Sequence, residues 1–369
     1  MRLLPSPEQI ELRAAARALM QEHSTSPQVR RISESDSYDW EVWRLVAQQM
    51  ELPGLALPEW YGGSGAGLVE LCITMEEMGR ALFSSPYLAT AVLAARLLLH
   101  SGDHDAQREL LPSLLSGERT ATVAYSAAAG IGGDGDFQAH PGSTPGCWTV
   151  TGSDDIVLDA CSADFVLVVA TTEDGPTIFA ADTSQAEIEC LPREPFDRTR
   201  RLGRLRLDQA CARMIGAPNQ GRSTLARTLD ESRIALAAEQ LGAAQACLDT
   251  AVEYARARKQ FGRPIGSFQA VQHKCADMLI SIESARAAVD FASHYEVGDE
   301  TELSVAAGIA AITASEALVH AASACIQVHG GMGFTWEHDA HLYLRRAKSS
   351  QHLFGGPNFH YARIAAAMS

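Results

Sequence analysis

The chain has 369 residues, 46% apolar and 20% charged, an ordinary globular composition that excludes intrinsic disorder and can fill two or three packed domains. Lys and Arg number 30 against 45 Asp and Glu, a formal net charge of -15. That balance excludes a generic nucleic-acid binder and disfavours an anionic membrane surface as partner, since both need a basic face.

Residues 1–13 carry an early Arg but no continuous apolar segment and no small-residue cleavage site, so a cytoplasmic protein is expected. No apolar run approaches the roughly 20 residues that cross a bilayer. Residues 1–120 read as a helical domain. Ser6 followed by Pro7 is an N-cap with proline at the first helical position. Trp40, Trp43, Leu45 and Val46 recur at helical spacing, and Leu57 to Gly65 is a loop by its proline and glycine content. A further helix runs through Glu76-Glu77-Met78-Gly79-Arg80.

Residues 121–216 change character. Trp148–Thr151, Phe165–Ala170 and Thr177–Ala180 read as strands, the second buried, within a β-sandwich or barrel. Residues 217–369 are helical again. Ile234, Ala237, Leu241, Ala244, Leu248, Ala251 and Ala255 alternate spacings of three and four, as do Val271, Cys275, Met278, Ile282, Ala285, Val289 and Ala292. Two such seams, an Ala-rich helix over 301–328 and short helices near 338–350 and 358–368 predict a helical bundle. The fold class is α+β: helical domain, β domain, bundle. The eight cysteines (72, 147, 161, 190, 211, 247, 275, 325) are scattered, with neither a CxxC pair nor zinc-ligand spacing. Several sit within apolar stretches and read as small core residues, and a disulfide framework is not expected.

Two segments could carry chemistry. Arg258-Lys259-Gln260-Phe261-Gly262-Arg263-Pro264-Ile265-Gly266, followed by Phe268-Gln269, joins two bundle helices. Its basic residues suit a helix C-terminus, or Arg258 grips a phosphate through its fork of donors. Gln327-Val328-His329-Gly330-Gly331-Met332-Gly333 is either a glycine cap or a place where backbone approaches a ligand closely.

With Pro58-Glu59-Trp60-Tyr61-Gly62-Gly63 and Glu76-Glu77-Met78-Gly79-Arg80, these two segments give the chain an end-to-end resemblance to the acyl-CoA dehydrogenase family. The resemblance implies that the C-terminal helices form a four-helix bundle, with FAD between the β domain and the bundle and its adenosine end reaching a neighbouring subunit. It implies that Arg258 contacts the pyrophosphate of the partner's FAD. Gln260, Phe261, Gln269, Gln327, Gly330 and Gly331 would line the same nucleotide, and Arg233 matches the family's arginine at the acyl-CoA site. The family reaction removes a Cα proton with a buried Glu of raised pKa while a hydride leaves Cβ for flavin N5.

The sequence departs from the family where that chemistry is done. One family position for the base is Gly355 here, in Phe354-Gly355-Gly356-Pro357. The other, 26 residues before Arg258, is Ser232. Neither is a carboxylate, so no catalytic residue is assigned. Glu231 and Glu239 are the candidates for a displaced base, with His329 and His352 behind them. The β-domain segments over the flavin, Ala124 to Gly130 and Gly152 to Leu158, lack most of the family's polar groups. Gly130, Gly132, Gly133 and Gly135 form a loop with no phosphate-binding signature, and Asp134 and Asp136 would repel phosphate.

This lopsided pattern resembles the base-lacking chain of actinobacterial α2β2 acyl-CoA dehydrogenases, several of which act on steroid side-chain CoA thioesters. The expectation is therefore a non-catalytic partner that completes an FAD site for a catalytic subunit acting on an acyl-CoA. The alternatives are a self-sufficient homotetramer with a displaced base, a flavin monooxygenase of the same fold, and a structural protein without flavin.

Overall fold

A computed structural model describes residues 4–125, 137–143, 146–295 and 300–368. The chain opens with α1 (Pro7–His23), started by the predicted cap. Gln9 donates its N–H to the Ser6 hydroxyl (3.2 Å), and Gln9 Oε1 accepts the Ser6 N–H (2.9 Å), a reciprocal capping box. Then come α2 (Ser26–Ser33), α3 (Trp40–Gln48) and α4 (Leu68–Arg80). A seven-residue π-helical segment, Leu88–Ala94, leads into α5 (Ala95–His100) and α6 (His104–Leu115).

Among the described residues seven strands follow: β1 (Ala121–Ala124), β2 (Phe137–Pro141), β3 (Trp148–Leu158), β4 (Phe165–Thr172), β5 (Gly175–Asp182), β6 (Ile188–Arg193) and β7 (Leu202–Ile215). They hydrogen-bond in the order β1-β4-β2-β3-β7-β5, and β4 also pairs with β5, so β4, β2, β3, β7 and β5 close on themselves. The β domain is therefore a barrel. Its interior is filled by Phe137, Val150, Val166, Val168, Phe179, Leu205 and Leu207. β4 is buried along most of its length, as its unbroken apolar run requires. β7, the longest strand, escaped the sequence reading. Its period-2 signal is present, with Gly203, Leu205 and Leu207 buried and Arg206 exposed, but Arg204 and Arg206 dilute the hydrophobicity.

The remaining elements are α7 (Gly221–Ala257), a hairpin of β8 (Lys259–Gln260) and β9 (Arg263–Pro264), α8 (Gln269–Ser293), α9 (Glu300–His329), α10 (Ala340–Ser350) and α11 (Pro357–Ala367). Two compact units result. A helical unit draws on residues 1–31, 68–84 and 233–369; a second unit, holding the barrel, draws on 32–67 and 85–232. Within the helical unit α8, α10 and α11 pack on α9.

An 18-residue window of α9 reaches a mean hydropathy of 1.5, long and apolar enough for a bilayer by composition. Its alanines make it so, and more than half of that window is buried inside the protein. Ala306, Ala310, Ala314, Ala317 and Ala321 form the buried seam of a bundle helix.

In the barrel unit, Tyr38 donates its hydroxyl to Asp159, a buried residue at φ 57°. Burial raises the Asp159 carboxyl from 3.8 to about 7, against the Tyr38 hydrogen bond and the charges of Arg200 and Arg201. Between those two pH values the folded chain holds a proton that the unfolded chain has lost, so this site's contribution to stability falls as pH rises from about 4 through 7. Asp159→Asn keeps an acceptor for Tyr38 and removes the titration. Its thermal midpoint is expected to exceed the parent's, and by a wider margin at pH 8 than at pH 5, as calorimetry at both pH values would show.

Candidate cofactor-binding end of the helical unit

The two glycine- and arginine-bearing segments, about 70 residues apart in sequence, meet at one end of the helical unit. The Tyr254 ring of α7 stacks on the His329 ring of α9 with centroids 4.3 Å apart. Arg258 follows one turn after Tyr254, donating its N–H to the Tyr254 carbonyl (2.8 Å), with its side chain exposed. Its own carbonyl accepts the Ile265 N–H (2.8 Å), which closes the β8–β9 hairpin over the helix end. Phe261 and Gly262 make the hairpin's turn at φ 52° and 77°, and the Phe261 side chain is 90% exposed. Gln260 and Gln269 are exposed on either side.

Across the stack, Gly330 ends α9 at φ 62°, the left-handed position that favours glycine. A Cβ at Gly330 or Gly331 would meet nothing within 4 Å. Gln327, Gly330 and Gly331 are all exposed. An exposed guanidinium, uncovered glycine backbone and three carboxamides suit a pyrophosphate and its nucleotide. All seven predicted cofactor residues thus lie on segments joined through one pair of stacked rings.

The base positions look different. Ser232 is fully buried and donates its hydroxyl to the Thr228 carbonyl (2.7 Å), back along its own helix. Gly355 sits at φ 110°, and a Cβ there would meet the Phe359 ring at 2.5 Å. The place that a carboxylate would need is filled by Phe359. Arg233 is only 1% exposed. It donates Nε to the Phe354 carbonyl (2.9 Å), and its guanidinium lies 5.6 Å from the Phe359 ring centre. Arg233 thus ties down the loop that holds Gly355. The cavity beside it, lined by Arg233, Leu236, Gln240, Ser315 and His360, is about 10 Å³. Ligand pockets are usually some 300–1,000 Å³.

The displaced-base candidates are both engaged. Glu231 is ion-paired with Arg96 and lies 2.7 Å from His100 Nε2. Burial opposes its ionisation, but the Arg96 guanidinium and the His100 hydrogen bond overcome burial and hold the carboxyl well below its ordinary range. That is the opposite of the raised pKa a base for a Cα proton needs. Glu239 is buried against Arg346 of α10. His329 is buried between Tyr254 and His338.

Gly355→Glu should therefore not restore a base. The strained φ and the Phe359 ring both reject the side chain. The expected result is a thermal midpoint lowered by several degrees and no bleaching of added FAD by acyl-CoA, read by calorimetry and visible absorbance.

The barrel segment that would face the flavin ring fits it poorly. Ile156 is exposed, Val157 and Leu158 are buried, and Asp155 pairs with Arg193 (2.7 Å) and Arg204 (3.2 Å). None of these four side chains offers a hydroxyl or amide to a ring, and half-buried Ser153 is the segment's one hydroxyl. The other such segment runs from Ala124 into the glycine loop, and its residues 126–136, Asp134 and Asp136 included, lie outside the described residues.

Residues 6–118 match the family description "Acyl-CoA dehydrogenase, N-terminal domain", and residues 219–369 match "Acyl-CoA dehydrogenase, C-terminal domain". Acyl-CoA dehydrogenase IpdE2 of Mycolicibacterium smegmatis is 35% identical over 98% of this chain and 99% of its own length. Its Mycobacterium tuberculosis namesake is 37% identical over 96% of this chain and 95% of its own. Among solved structures, a variant of the Tcur3481-Tcur3483 steroid ACAD aligns with a TM-score of 0.88 at 34% identity, over 98% of this chain and 97% of that one. The ChsE4-ChsE5 complex from Mycobacterium tuberculosis aligns with a TM-score of 0.90 at 28% identity, over 100% and 99%.

Proposed function

The chain belongs to the acyl-CoA dehydrogenase family, and we propose that within it this polypeptide is the base-lacking subunit of an α2β2 complex. A catalytic acyl-CoA dehydrogenase subunit would be its partner, and an acyl-CoA thioester the substrate, of the steroid side-chain class that the similar steroid ACAD suggests. The observation that carries this reading is the contrast between the two places. The end of the helical unit that carries Arg258, Gly330 and Gly331 is open, whereas Ser232 is buried with its hydroxyl bonded to the Thr228 carbonyl and Phe359 fills the space beside Gly355.

FAD supplies the hydride acceptor for the Cβ–H bond. This chain's residues would hold its nucleotide half. Arg258 balances the pyrophosphate charge and fixes its direction with paired donors. The backbone at Gly330 and Gly331 permits close approach, while Gln260, Gln269 and Gln327 offer amide donors and acceptors, and Phe261 an exposed ring. The carboxylate that takes the Cα proton would come from the partner.

Purification alone and after co-expression with a catalytic subunit tests this. The chain alone is expected to carry little flavin and to show no dehydrogenation, and the complex to carry stoichiometric FAD. In the complex, Arg258→Ala should weaken FAD retention about tenfold or more, because a charge-assisted contact contributes about 1.5–3 kcal/mol. Full flavin content with turnover in the isolated chain would overturn the proposal.

A further inference from the structure

Three rings close the glycine loop at its base. His329 is the last residue of α9, and His338 lies two residues before α10. The two flank residues 330–337, the loop that carries Gly330 and Gly331. Their imidazoles meet with ring centres 4.2 Å apart, and the His329 ring also stacks on Tyr254 of α7 at 4.3 Å. Tyr254 is one turn before Arg258. The stack therefore ties both ends of the loop to each other and to the helix end that presents Arg258. Within the loop, Gly333 is buried where a Cβ would come within 2.8 Å of the His329 Cβ and of the Ile326 carbonyl. Met332, Phe334 and Trp336 are exposed and hold nothing in place.

The hydrogen bonds decide what each imidazole can carry. His338 Nδ1 accepts the Ala340 N–H at the start of α10 (3.1 Å). A backbone N–H only donates, so that nitrogen holds a lone pair and the ring's hydrogen is on Nε2. His329 Nδ1 lies 2.8 Å from the Cys325 carbonyl. A carbonyl only accepts, so this nitrogen holds a hydrogen whether the ring is neutral or charged. Protonation thus costs His329 no hydrogen bond, but costs His338 its bond to α10. The new charge would also stand at a helix N-terminus, where cations are unfavourable. The titratable groups around the stack are Tyr254 of α7, Cys325 of α9, Arg30 of α2, Asp339 and, on α10, His341. Arg30 donates to the Trp336 carbonyl and to the Asp339 carboxylate, both at 2.5 Å. Burial, with the charges of His329, Arg30 and His341, holds His338 below the usual histidine range, and Asp339 opposes only in part. Burial also lowers His329, but contact with Cys325 outweighs it and raises that ring.

We propose that His338 is a positioning residue of the nucleotide end: its neutral imidazole holds the Gly330–Gly331 backbone in place relative to Arg258, and its protonation releases that backbone. The proposal rests on the reading of this end as the holder of the FAD nucleotide. A pyrophosphate needs the donors of Arg258 and the close approach of the glycine backbone at once. Arg258 keeps its charge at every pH in question. Acid therefore weakens nucleotide binding through His338, which touches no nucleotide, and leaves the contacting groups chemically unchanged.

Two measurements, each at pH 7.5 and pH 5.5, test this. The first is hydrogen–deuterium exchange over residues 330–337 in the full chain alone, expressed as protection factors so that the intrinsic pH dependence of exchange is removed. The second is the FAD dissociation constant of the complex with a catalytic subunit, read by flavin fluorescence. On going to pH 5.5, protection is expected to fall and the dissociation constant to rise, each by about threefold or more. His338→Asn keeps an acceptor near the place of Nδ1 and cannot titrate, so it should abolish both pH dependences. His338→Phe keeps a ring and lacks the acceptor. At pH 7.5 it should already bind FAD about fivefold more weakly, the worth of one hydrogen bond. Protection and affinity independent of pH in the unaltered chain would overturn the proposal, as would an undiminished pH dependence in His338→Asn. A complex that binds no FAD at pH 7.5 would overturn the nucleotide reading and this proposal together, whereas FAD bound equally well at both pH values would overturn this proposal alone.

Discussion

Gly79→Ala and Gly242→Ala are each expected to destabilise the protein by about 3 kcal/mol or more. The two glycines answer each other across one helix crossing. A Cβ on Gly79 of α4 would overlap the backbone carbonyl of Glu239 on α7, and a Cβ on Gly242 of α7 would overlap the backbone carbonyl of Glu76 on α4. Two effects oppose. Alanine is the better helix former, by roughly 1 kcal/mol in an exposed helix interior. Against it, the overlapped atoms are backbone, which cannot rotate away as a side chain can. The helices must separate, and buried Leu71, Cys72, Met75 and Met78 on α4 lose packing along the whole contact. Overpacking of this kind costs about 1–3 kcal/mol even where side chains can yield, so the steric term wins. Gly331→Ala is the control for stability, because a Cβ there meets nothing. Urea denaturation read by circular dichroism would decide. A change below about 1 kcal/mol in both α4–α7 variants would show that the helices are not held this close.

Breaking the Glu239–Arg346 pair should have an effect of similar size. Glu239 of α7 and Arg346 of α10 are ion-paired with side chains 5% and 2% exposed. Removal of one partner from a buried pair costs about 3–5 kcal/mol, because the other charge remains in a poor solvent. Glu239→Ala and Arg346→Met are each expected to lose that much. The double change Glu239→Leu with Arg346→Met should recover most of it, since an apolar pair of similar volume is often neutral or better. A denaturation cycle over the four proteins isolates the coupling. Equal losses in the double and single variants would mean that packing, and not charge, dominates this site. The pair also bears on function, because it commits one of the two carboxylates that could have replaced the missing base.

Much of the fold was legible in sequence because its signals are short-range. The Ser6-Pro7 cap, the alternation of threes and fours along α7 and α8, and the glycine that stops α9 at Gly330 each depend on a few neighbouring residues. The equipped end of the helical unit was legible too, because Arg258, Phe261, Gln327 and the two glycines carry their resemblance in contiguous motifs. The emptiness at Ser232 and Gly355 could be read in the same way, as residue types at counted positions.

Tertiary structure alone decided which distant residues oppose one another. Closure of a barrel rather than a sandwich rests on the pairing of β4 with both β2 and β5, and no strand announces its second neighbour. The same holds for Phe359 filling the space beside Gly355, Arg233 bonding the Phe354 carbonyl, and Gly79 answering Gly242 across α4 and α7. Local periodicity fixes which face of an element is buried. Which partner that face meets, and how closely, is set by packing many faces at once, and the carboxylates, imidazoles and arginines of this chain acquire their chemistry only from that choice.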